Sequence, residues 1–321
     1  MAISALSIGE WHVRSTAFRR KFRLKPVLRT EIIHQSNIDG ALAVFALSGY
    51  PVGMDYWENK VVLITGGSSG LGRAIAEAFA GAGAKIALVG LEQPQVEQAA
   101  AEMRSAGRDV LGLAADITRQ DDVDTLFART MERFGRLDVL VNNAGRSMRG
   151  GVLDTTPEQF RDLMELNLIA LVRCTRAAMP HLLERCGHVV NIGSLASKSA
   201  ARWVGAYPAT KFAVAAYSQQ LRLELGPKGL HVLLVCPGPI HRDAPRLYPL
   251  EGESDIPEAA RRPGAGVRLN TIAPEKLTAA ILRACRRRKP ELIVPAKVRM
   301  LFGIAAFCPT LGDWLVRKNT G

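Results

Sequence analysis

The sequence of 321 residues predicts an α/β fold, a single doubly wound parallel sheet of about seven strands with helices on both faces. Two observations carry this prediction. From Lys60 onward, short apolar runs alternate with segments in which apolar residues recur at helical spacing, which is the pattern of parallel β-α-β units. In addition, 48% of the residues are hydrophobic, so a chain of this length can bury one large core.

The predicted elements follow the chain in order. Strands are predicted at residues 61–65, 85–89, 110–114, 137–141, 188–192, 231–235 and 292–294. Helices are predicted from Gly70 to the glycines Gly81 and Gly83, at residues 95–106, 121–134, 157–185 and 209–225, and again from Pro274. The stretch from about residue 237 to 272 is rich in Pro, Gly and charge and has no periodicity. A loop of that length in a compact domain is interpreted as a lid over a substrate site.

Charge divides the chain into three parts. Residues 1–53 carry 7 Lys or Arg and 3 Asp or Glu, residues 54–260 carry 22 and 24, and residues 261–321 carry 13 and 3. The basic character therefore belongs to the two ends. We predict a poorly ordered extension or leader at residues 1–53, with Met54 as a natural start, a folded domain at residues 54–296, and a basic, apolar tail at residues 297–321.

Composition disfavours several classes of protein. No apolar run approaches the ~20 residues that span a bilayer. The five cysteines are scattered and form no CxxC pair, so the sequence predicts reduced thiols, no metal site and a cytoplasmic location. No aromatic-rich platform accompanies the basic ends, so no nucleic-acid partner is predicted.

The first candidate site is the glycine-rich turn that follows the first predicted strand. Gly66, Gly70 and Gly72 let the backbone turn sharply and approach a ligand closely. The helix that follows presents unpaired N–H groups and the positive end of its dipole. This strand-turn-helix arrangement, typical of a Rossmann-type fold, predicts a site for the pyrophosphate of a dinucleotide.

Two further motifs extend the candidate site. The run Asn142-Asn143-Ala144-Gly145 stands where the fourth predicted strand ends, and the carboxyl ends of parallel strands line ligand crevices. Tyr207 and Lys211 lie four residues apart on one face of a predicted helix. Because an ammonium group favours a nearby phenolate, we expect Lys211 to lower the pKa of Tyr207 from ~10 toward neutral pH. Such a phenol can exchange a proton with a carbonyl or alcohol oxygen.

Together these motifs resemble the short-chain dehydrogenase/reductase family. The run Thr65-Gly-x-x-x-Gly-x-Gly72, the Asn-Asn-Ala-Gly run, Ser194 thirteen residues before Tyr207, and Tyr-x-x-x-Lys occur in the order and spacing of that family. The resemblance covers about residues 57–296. It implies that residues 54–296 form a dinucleotide-binding catalytic domain, which uses NAD(P) and assembles as a homodimer or homotetramer.

The resemblance also implies a role for each matched residue. Tyr207 is the expected general acid/base, and Lys211 is expected to hold the nicotinamide ribose and lower the pKa of Tyr207. Ser194 is expected to hydrogen-bond the substrate oxygen, and Asn167 to anchor a water that relays protons from the lysine. Asp116 is expected to reach the adenine amine. The other residues expected to contact the cofactor are Thr65, Gly66, Ser68, Ser69, Gly70, Leu71, Gly72, Ile117, Asn143, Ala144, Gly145, Pro237, Gly238 and Ile240.

The sequence leaves the choice between NAD and NADP open. Members that use NAD often have an Asp at the end of the second strand, where this chain has Gly90. Members that use NADP often have a basic residue where this chain has Leu91 or Ser69. Glu92 is a candidate ribose acceptor that would disfavour a phosphate. Arg73 is a candidate cation, although a helix-surface arginine describes it better.

The tail between Lys297 and Lys318 reads KVRMLFGIAAFCPTLGDWLVRK, apolar between basic ends. Such a segment either lies at a membrane interface near anionic headgroups, or forms a helix, broken at Pro309, that covers the substrate pocket or a subunit contact. Its similarity to the tails of membrane-associated members that act on lipophilic carbonyls predicts a lipophilic substrate. The predicted function is NAD(P)-dependent interconversion of a carbonyl and an alcohol. The alternative is a non-catalytic dinucleotide-binding sensor or scaffold on the same fold.

Overall fold

The structure, a computed structural model, describes residues 56–241, 248, 256–267 and 269–319. The predicted extension at residues 1–53 and part of the predicted lid lie outside these ranges. Within them, seven parallel strands form one sheet in the order β3-β2-β1-β4-β5-β6-β7, which confirms the predicted fold. The strands are β1 (Val61–Thr65), β2 (Lys85–Gly90), β3 (Val110–Ala114), β4 (Val139–Asn142), β5 (His188–Ile192), β6 (His231–Pro237) and β7 (Glu291–Val294).

Helices cover both faces of the sheet and continue beyond it. The α-helices are α1 (Gly70–Gly81), α2 (Gln93–Ser105), α3 (Gln120–Phe134), α4 (Pro157–Met164), α5 (Ala170–Glu184), α6 (Tyr207–Leu225), α7 (Glu258–Arg261), α8 (Pro274–Arg286), α9 (Val298–Phe307) and α10 (Pro309–Asn319). A π-helical turn at Glu165–Ile169 joins α4 to α5. Among the described residues, no helix combines the length and the apolar character needed to cross a bilayer.

The structure moves several predicted boundaries. β4 begins at Val139 rather than at residue 137, although the backbone N–H of Asp138 already donates to the carbonyl oxygen of Val61 at 2.9 Å. β6 extends to Pro237, since its last residues pair with β7. The helix predicted at residues 157–185 is three consecutive segments, because the π turn interrupts it. The remaining differences are one or two residues at element ends.

The core lies on both faces of the sheet, as a parallel sheet requires. All five residues of β1 are buried, so each face of this central strand packs against helices. One face is covered by α1, α2 and α8, which contribute Phe79 and Ile281. The other face is covered by α3, α5 and α6, which contribute Leu126 and Leu182. The carboxyl edge of the sheet is therefore available to form a ligand site.

The amino edge of the sheet carries a chain of buried hydrogen bonds. His231 Nε2 lies 2.8 Å from the carbonyl oxygen of Lys289, which only accepts, so this nitrogen carries the proton. The Nδ1 atom of His231 therefore accepts a hydrogen bond from the Nδ1–H group of His188 at 2.8 Å. In turn, Nε2 of His188 accepts a hydrogen bond from the hydroxyl of Tyr56 at 2.9 Å. Cys285 lies close enough to share a metal ion with both rings, but hydrogen bonds already occupy all four ring nitrogens.

We expect this chain of neutral histidines to make the fold sensitive to acid. Burial lowers the pKa of His188 well below its ordinary value and that of His231 from 6.5 to about 4. The unfolded chain therefore takes up protons first as the pH falls, so stability is complete above pH 6.5 and is lost toward pH 4. For His231 alone the loss is on the order of 3 kcal/mol.

Urea unfolding at a series of pH values between 7 and 4 measures this loss. His231→Gln should flatten the dependence of the unfolding free energy on pH, whatever it costs at neutral pH. A variant with the slope of the wild-type protein would show that other groups cause the acid sensitivity.

Candidate active site

The carboxyl edge of the sheet opens a crevice between β1 and β4, where the strand order reverses. The turn after β1 needs glycine on geometric grounds. Gly66 and Gly70 have φ values of 63° and 54°, in the left-handed region. A Cβ atom on Gly72 would lie 2.0 Å from the carbonyl oxygen of Gly66. The backbone therefore reaches the crevice without side chains, and α1 begins there with its amino end.

Asn143 joins the ends of the two strands that flank this crevice. Its side-chain Nδ2 donates to the carbonyl oxygens of Thr65 and Gly66 at 3.0 and 3.1 Å. In return, the hydroxyl of Thr65 accepts the backbone N–H groups of Asn143 and Ala144, both at 3.1 Å. The predicted residues Thr65, Gly66, Asn143 and Ala144 thus form one hydrogen-bonded unit, which fixes the shape of the glycine turn.

Gly72→Ala is expected to weaken dinucleotide binding at least about tenfold. The added methyl group forces the turn open, and overpacking of this kind costs about 1–3 kcal/mol. Calorimetric titration with NADH and with NADPH measures the change. Gly81→Ala, at the other end of the same helix, is the matched control, because nothing lies within 4 Å of the added Cβ atom. Equal losses in the two variants would contradict the role of the turn.

Three of the predicted catalytic residues line one cavity of about 450 Å³ beside the crevice. These are Ser194, after β5, and Tyr207 and Lys211, on the first turns of α6. The hydroxyl of Ser194 accepts the backbone N–H of Ala196 at 3.1 Å and lies near enough to the phenol of Tyr207 to act on its pKa. The Nζ atom of Lys211 donates to the carbonyl oxygen of Ile192 at 2.9 Å and lies 5.8 Å from the centre of the Tyr207 ring. The helical spacing therefore places both side chains on the same face, as the sequence predicts.

The expectation of an acidic phenol is wrong for this structure. Burial raises the pKa of Tyr207 to about 12, although the Ser194 hydrogen bond and the charge of Arg149 both act to lower it. Burial also lowers the pKa of Lys211 to about 8, so the amine holds its charge less firmly than a free lysine. Desolvation of the phenol thus outweighs both of the contributions that lower its pKa, and Lys211 is not among the groups that shift the pKa of Tyr207. At neutral pH the phenol keeps its proton and can donate it.

Asn167, the fourth predicted catalytic residue, lies buried in the π turn between α4 and α5. Its Oδ1 accepts the backbone N–H of Arg146 at 2.9 Å, and its Nδ2 donates to the carbonyl oxygen of Arg146 at 2.9 Å and to the hydroxyl of Thr210 at 3.0 Å. The side chain therefore ties the loop after β4 to α6, next to Lys211. A role in proton relay stays a prediction, whereas this positioning contact is direct.

The remaining predicted cofactor contacts fall into three places. Those in the cavity wall, besides Tyr207 and Lys211, are Leu71, Asn143, Gly145, Pro237, Gly238 and Ile240. Ser68 and Ser69 line a separate cleft between α1 and α2. Asp116 lies after β3, where its carboxylate accepts the backbone N–H and hydroxyl of Thr118; these bonds lower its pKa. The side chain of Ile117 packs into the hydrophobic core.

The structure explains why the end of β2 carries no acidic residue. A Cβ atom on Gly90 would lie 2.6 Å from the side chain of Val96 and 2.7 Å from the hydroxyl of Ser68. Nearby, the guanidinium of Arg73 pairs with Glu77 at 2.6 Å and with Glu102 at 3.2 Å. Both of these ion pairs join Arg73 to carboxylates of the protein itself, so they give no sign that Arg73 binds a cofactor phosphate. The choice between NAD and NADP therefore stays open at this site.

Arg149 is a site residue that the sequence analysis missed. Only 2% of its surface is exposed, and it lines the cavity that holds Tyr207. Its Nε donates to the carbonyl oxygen of Ala260 at 2.7 Å, and Nη2 donates to that of Arg262 at 3.0 Å. Its guanidinium also stacks on the ring of Tyr248, at 4.1 Å. Arg149 thus fastens the predicted lid to the loop after β4. No local motif distinguishes it from Arg146, so only the folded lid reveals its role.

The tail forms the outer wall of the cavity. Leu301 and Phe302 of α9 and Leu315 and Val316 of α10 line it, opposite Ser194. Of the alternatives open for the tail, the structure thus supports a cover over the pocket. The two helices are separated at Cys308, directly before Pro309, which is the predicted break.

Known proteins share this sequence pattern and this fold. A family model described as short chain dehydrogenase matches residues 60–246. A solved structure described as a short-chain dehydrogenase from Streptomyces avermitilis superposes with a TM-score of 0.67 at 32% identity, covering 82% of this chain and 99% of that one.

Three curated relatives are also similar. The probable oxidoreductase EphD of Mycobacterium tuberculosis is 32% identical over 260 residues, 79% of this chain but 44% of that protein. The chain thus spans less than half the length of that relative. An L-fucose dehydrogenase of Bos taurus is 36% identical over 65% of this chain and 75% of that protein. An 11-beta-hydroxysteroid dehydrogenase A of Sesamum indicum is 33% identical over 80% of this chain and 74% of that protein.

Proposed function

Because this chain belongs to the short-chain dehydrogenase/reductase family, we propose that it is an NAD(P)-dependent oxidoreductase that interconverts a carbonyl and an alcohol. The convergence of Ser194, Tyr207 and Lys211 on one cavity beside the glycine crevice carries this proposal. The crevice fits a dinucleotide, since its glycines leave the backbone bare and the amino end of α1 favours a pyrophosphate. When bound, the nicotinamide supplies or accepts the hydride.

The protein's own residues handle the proton and the developing charge. In reduction, a carbonyl carbon gains the hydride while Tyr207 donates its phenolic proton to the carbonyl oxygen; oxidation reverses both transfers. Ser194 lines the same cavity close to the phenol, so its hydroxyl can also donate to the oxygen as negative charge grows there. The Nζ atom of Lys211 lies near Gly145, so its ammonium can hold the ribose of a cofactor bound in the crevice and favour the phenolate that remains.

The walls of the cavity favour a lipophilic substrate. Most of the lining away from Ser194 and Tyr207 is apolar, and it includes Val267, Leu269 and Phe302. Pockets of this kind bind the body of a ligand by apolar contact and orient it through a few polar groups. The substrate we propose is a small molecule with an apolar body and one carbonyl or hydroxyl group at the reacting end.

Initial rates with NADH and NADPH on a series of ketones of increasing apolar length test both the proposed reaction and the proposed lipophilic substrate. We expect kcat/KM to rise with apolar length. A preference for L-fucose with NAD+ or NADP+ would overturn the lipophilic assignment while leaving the reaction type intact. Tight cofactor binding without turnover of any ketone, aldehyde, alcohol or sugar would favour the sensor alternative instead.

The proposal includes a homodimer or homotetramer. Phe212 and Leu223 on α6 and Ile169 at the end of the π turn before α5 keep 45%, 70% and 39% of their surface exposed, which is unusual for large apolar side chains on helices. Light scattering on the purified chain tests the assembly, and a monomer at micromolar concentration would contradict it.

A further inference from the structure

The helices α9 and α10 form a hairpin. Residues near the start of α9, Leu301 and Phe302, line the same cavity as Leu315 and Val316 near the end of α10, so the two helices run back along each other. They approach closely near the turn, where a Cβ atom on Gly312 would lie 2.6 Å from Cβ of Ala305. One face of the hairpin thus closes the cavity.

The other face of the hairpin is apolar and exposed. Phe307, at the turn, keeps 94% of its surface exposed, Met300 keeps 75%, and Trp314 keeps 49%. Ile304 and Leu311 are also exposed. Soluble surfaces rarely carry so many large apolar side chains together, and such a patch marks an interaction site. The turn between the helices is the most apolar end of the patch.

Positive charge is confined to the opposite end of the hairpin. Lys297 and Arg299 stand at the start of α9, and Arg317 and Lys318 stand at the end of α10, so four cations meet at the base. Between Met300 and Val316 the only charged residue is Asp313. This arrangement is complementary to the surface of a bilayer: the apolar tip can contact the acyl chains while the cations at the base contact the anionic headgroups.

We propose that the tip of this hairpin inserts into the surface of a bilayer that contains anionic lipids, and that the cavity behind it receives lipophilic substrate from that bilayer. The second part rests on the proposed function. A helix of ten residues is about 15 Å long, roughly half of a hydrocarbon core of about 30 Å, so the hairpin enters one leaflet only.

Vesicle sedimentation tests the first part. We expect the full chain to sediment with vesicles of phosphatidylcholine and phosphatidylserine, to do so less with phosphatidylcholine alone, and to dissociate as salt is added. Phe307→Glu should lower partitioning at least tenfold. Leu153→Glu is the matched control, since Leu153 is also 94% exposed but lies outside the hairpin. Failure of the wild-type chain to sediment with either vesicle, or equal losses in the two variants, would overturn insertion. A dimer that Phe307→Glu dissociates without affecting sedimentation would assign the tip to a second copy instead.

Turnover tests the second part separately. For a long-chain ketone dissolved in vesicles, we expect Phe307→Glu to lower the rate at least tenfold, with little change for a short, water-soluble ketone. An equal fall for both ketones, or for neither, would overturn delivery from the bilayer. If no ketone is turned over while the chain still sediments with anionic vesicles, the proposed function fails and insertion stands.

Discussion

Tyr207→Phe is expected to lower kcat by about 10²–10⁴-fold, the range that general acid catalysis contributes. The substitution removes only the phenolic oxygen, so the ring still fills its place beside Ser194 and Lys211. Because the pKa of Tyr207 is raised to about 12, the wild-type phenol is protonated at neutral pH and can donate to a carbonyl held by Ser194. Without it, the developing alkoxide must take its proton from water. The glycine turn is untouched, so the affinity for the dinucleotide should stay nearly unchanged.

Stopped-flow hydride transfer and calorimetric cofactor titration separate these two effects. Tyr217→Phe is the matched control, because Tyr217 lies on the same helix but packs into the core on the α3, α5 and α6 face. We expect the control to keep wild-type rates. A Tyr207→Phe variant with normal turnover would remove Tyr207 from the mechanism. Equal losses of rate and cofactor affinity would instead show that the substitution disturbs the packing of the site, and not only the donation of a proton.

The parts of this site that could be predicted from the sequence are local in the chain. The glycine turn and the Tyr207–Lys211 pair each occupy one turn of backbone, and their geometry follows from strand-to-helix and helix periodicity alone. The same applies to the seven strands, each a short and largely apolar run of sequence. The assignment of roles to these residues stays a prediction that the variants above can test.

The parts that could not be predicted depend on packing between distant segments. Arg149 contacts lid residues 111 and 113 positions away, and no spacing rule connects them. The wrong expectation for the pKa of Tyr207 has a similar cause. The position of Lys211 follows from the helix, but the desolvation of the phenol depends on residues from other segments that pack against it, among them Met148 and Leu163. The absence of an acidic residue at Gly90 has the same kind of cause, because Ser68 and Val96 lie too close to this position for any side chain to fit.

Arg149→Met is therefore expected to lower kcat/KM about 10²-fold. Its hydrogen bonds to the carbonyl oxygens of Ala260 and Arg262 hold the lid against the cavity. A hydrogen bond from a charged donor contributes about 1.5 kcal/mol or more, so losing both raises the cost of the closed state by about 3 kcal/mol. The loss should appear mainly in KM for substrates that fill the apolar wall, because the lid residues Val267 and Leu269 form part of that wall.

A second effect of the same substitution shows whether Arg149 also influences Tyr207 or only holds the lid in place. Its positive charge acts to lower the pKa of Tyr207, so removing the charge should raise that pKa. In alcohol oxidation, which needs the deprotonated phenol, the rise of kcat/KM with pH should then shift to higher pH in Arg149→Met. Arg149→Lys keeps the charge but loses the planar fork, so it should restore the pH profile more fully than KM. Arg262→Met is the control, since that side chain is exposed and pairs with Glu258 while its backbone still accepts from Arg149. An unshifted profile in Arg149→Met would reduce Arg149 to a fastening for the lid, with no influence on the phenol.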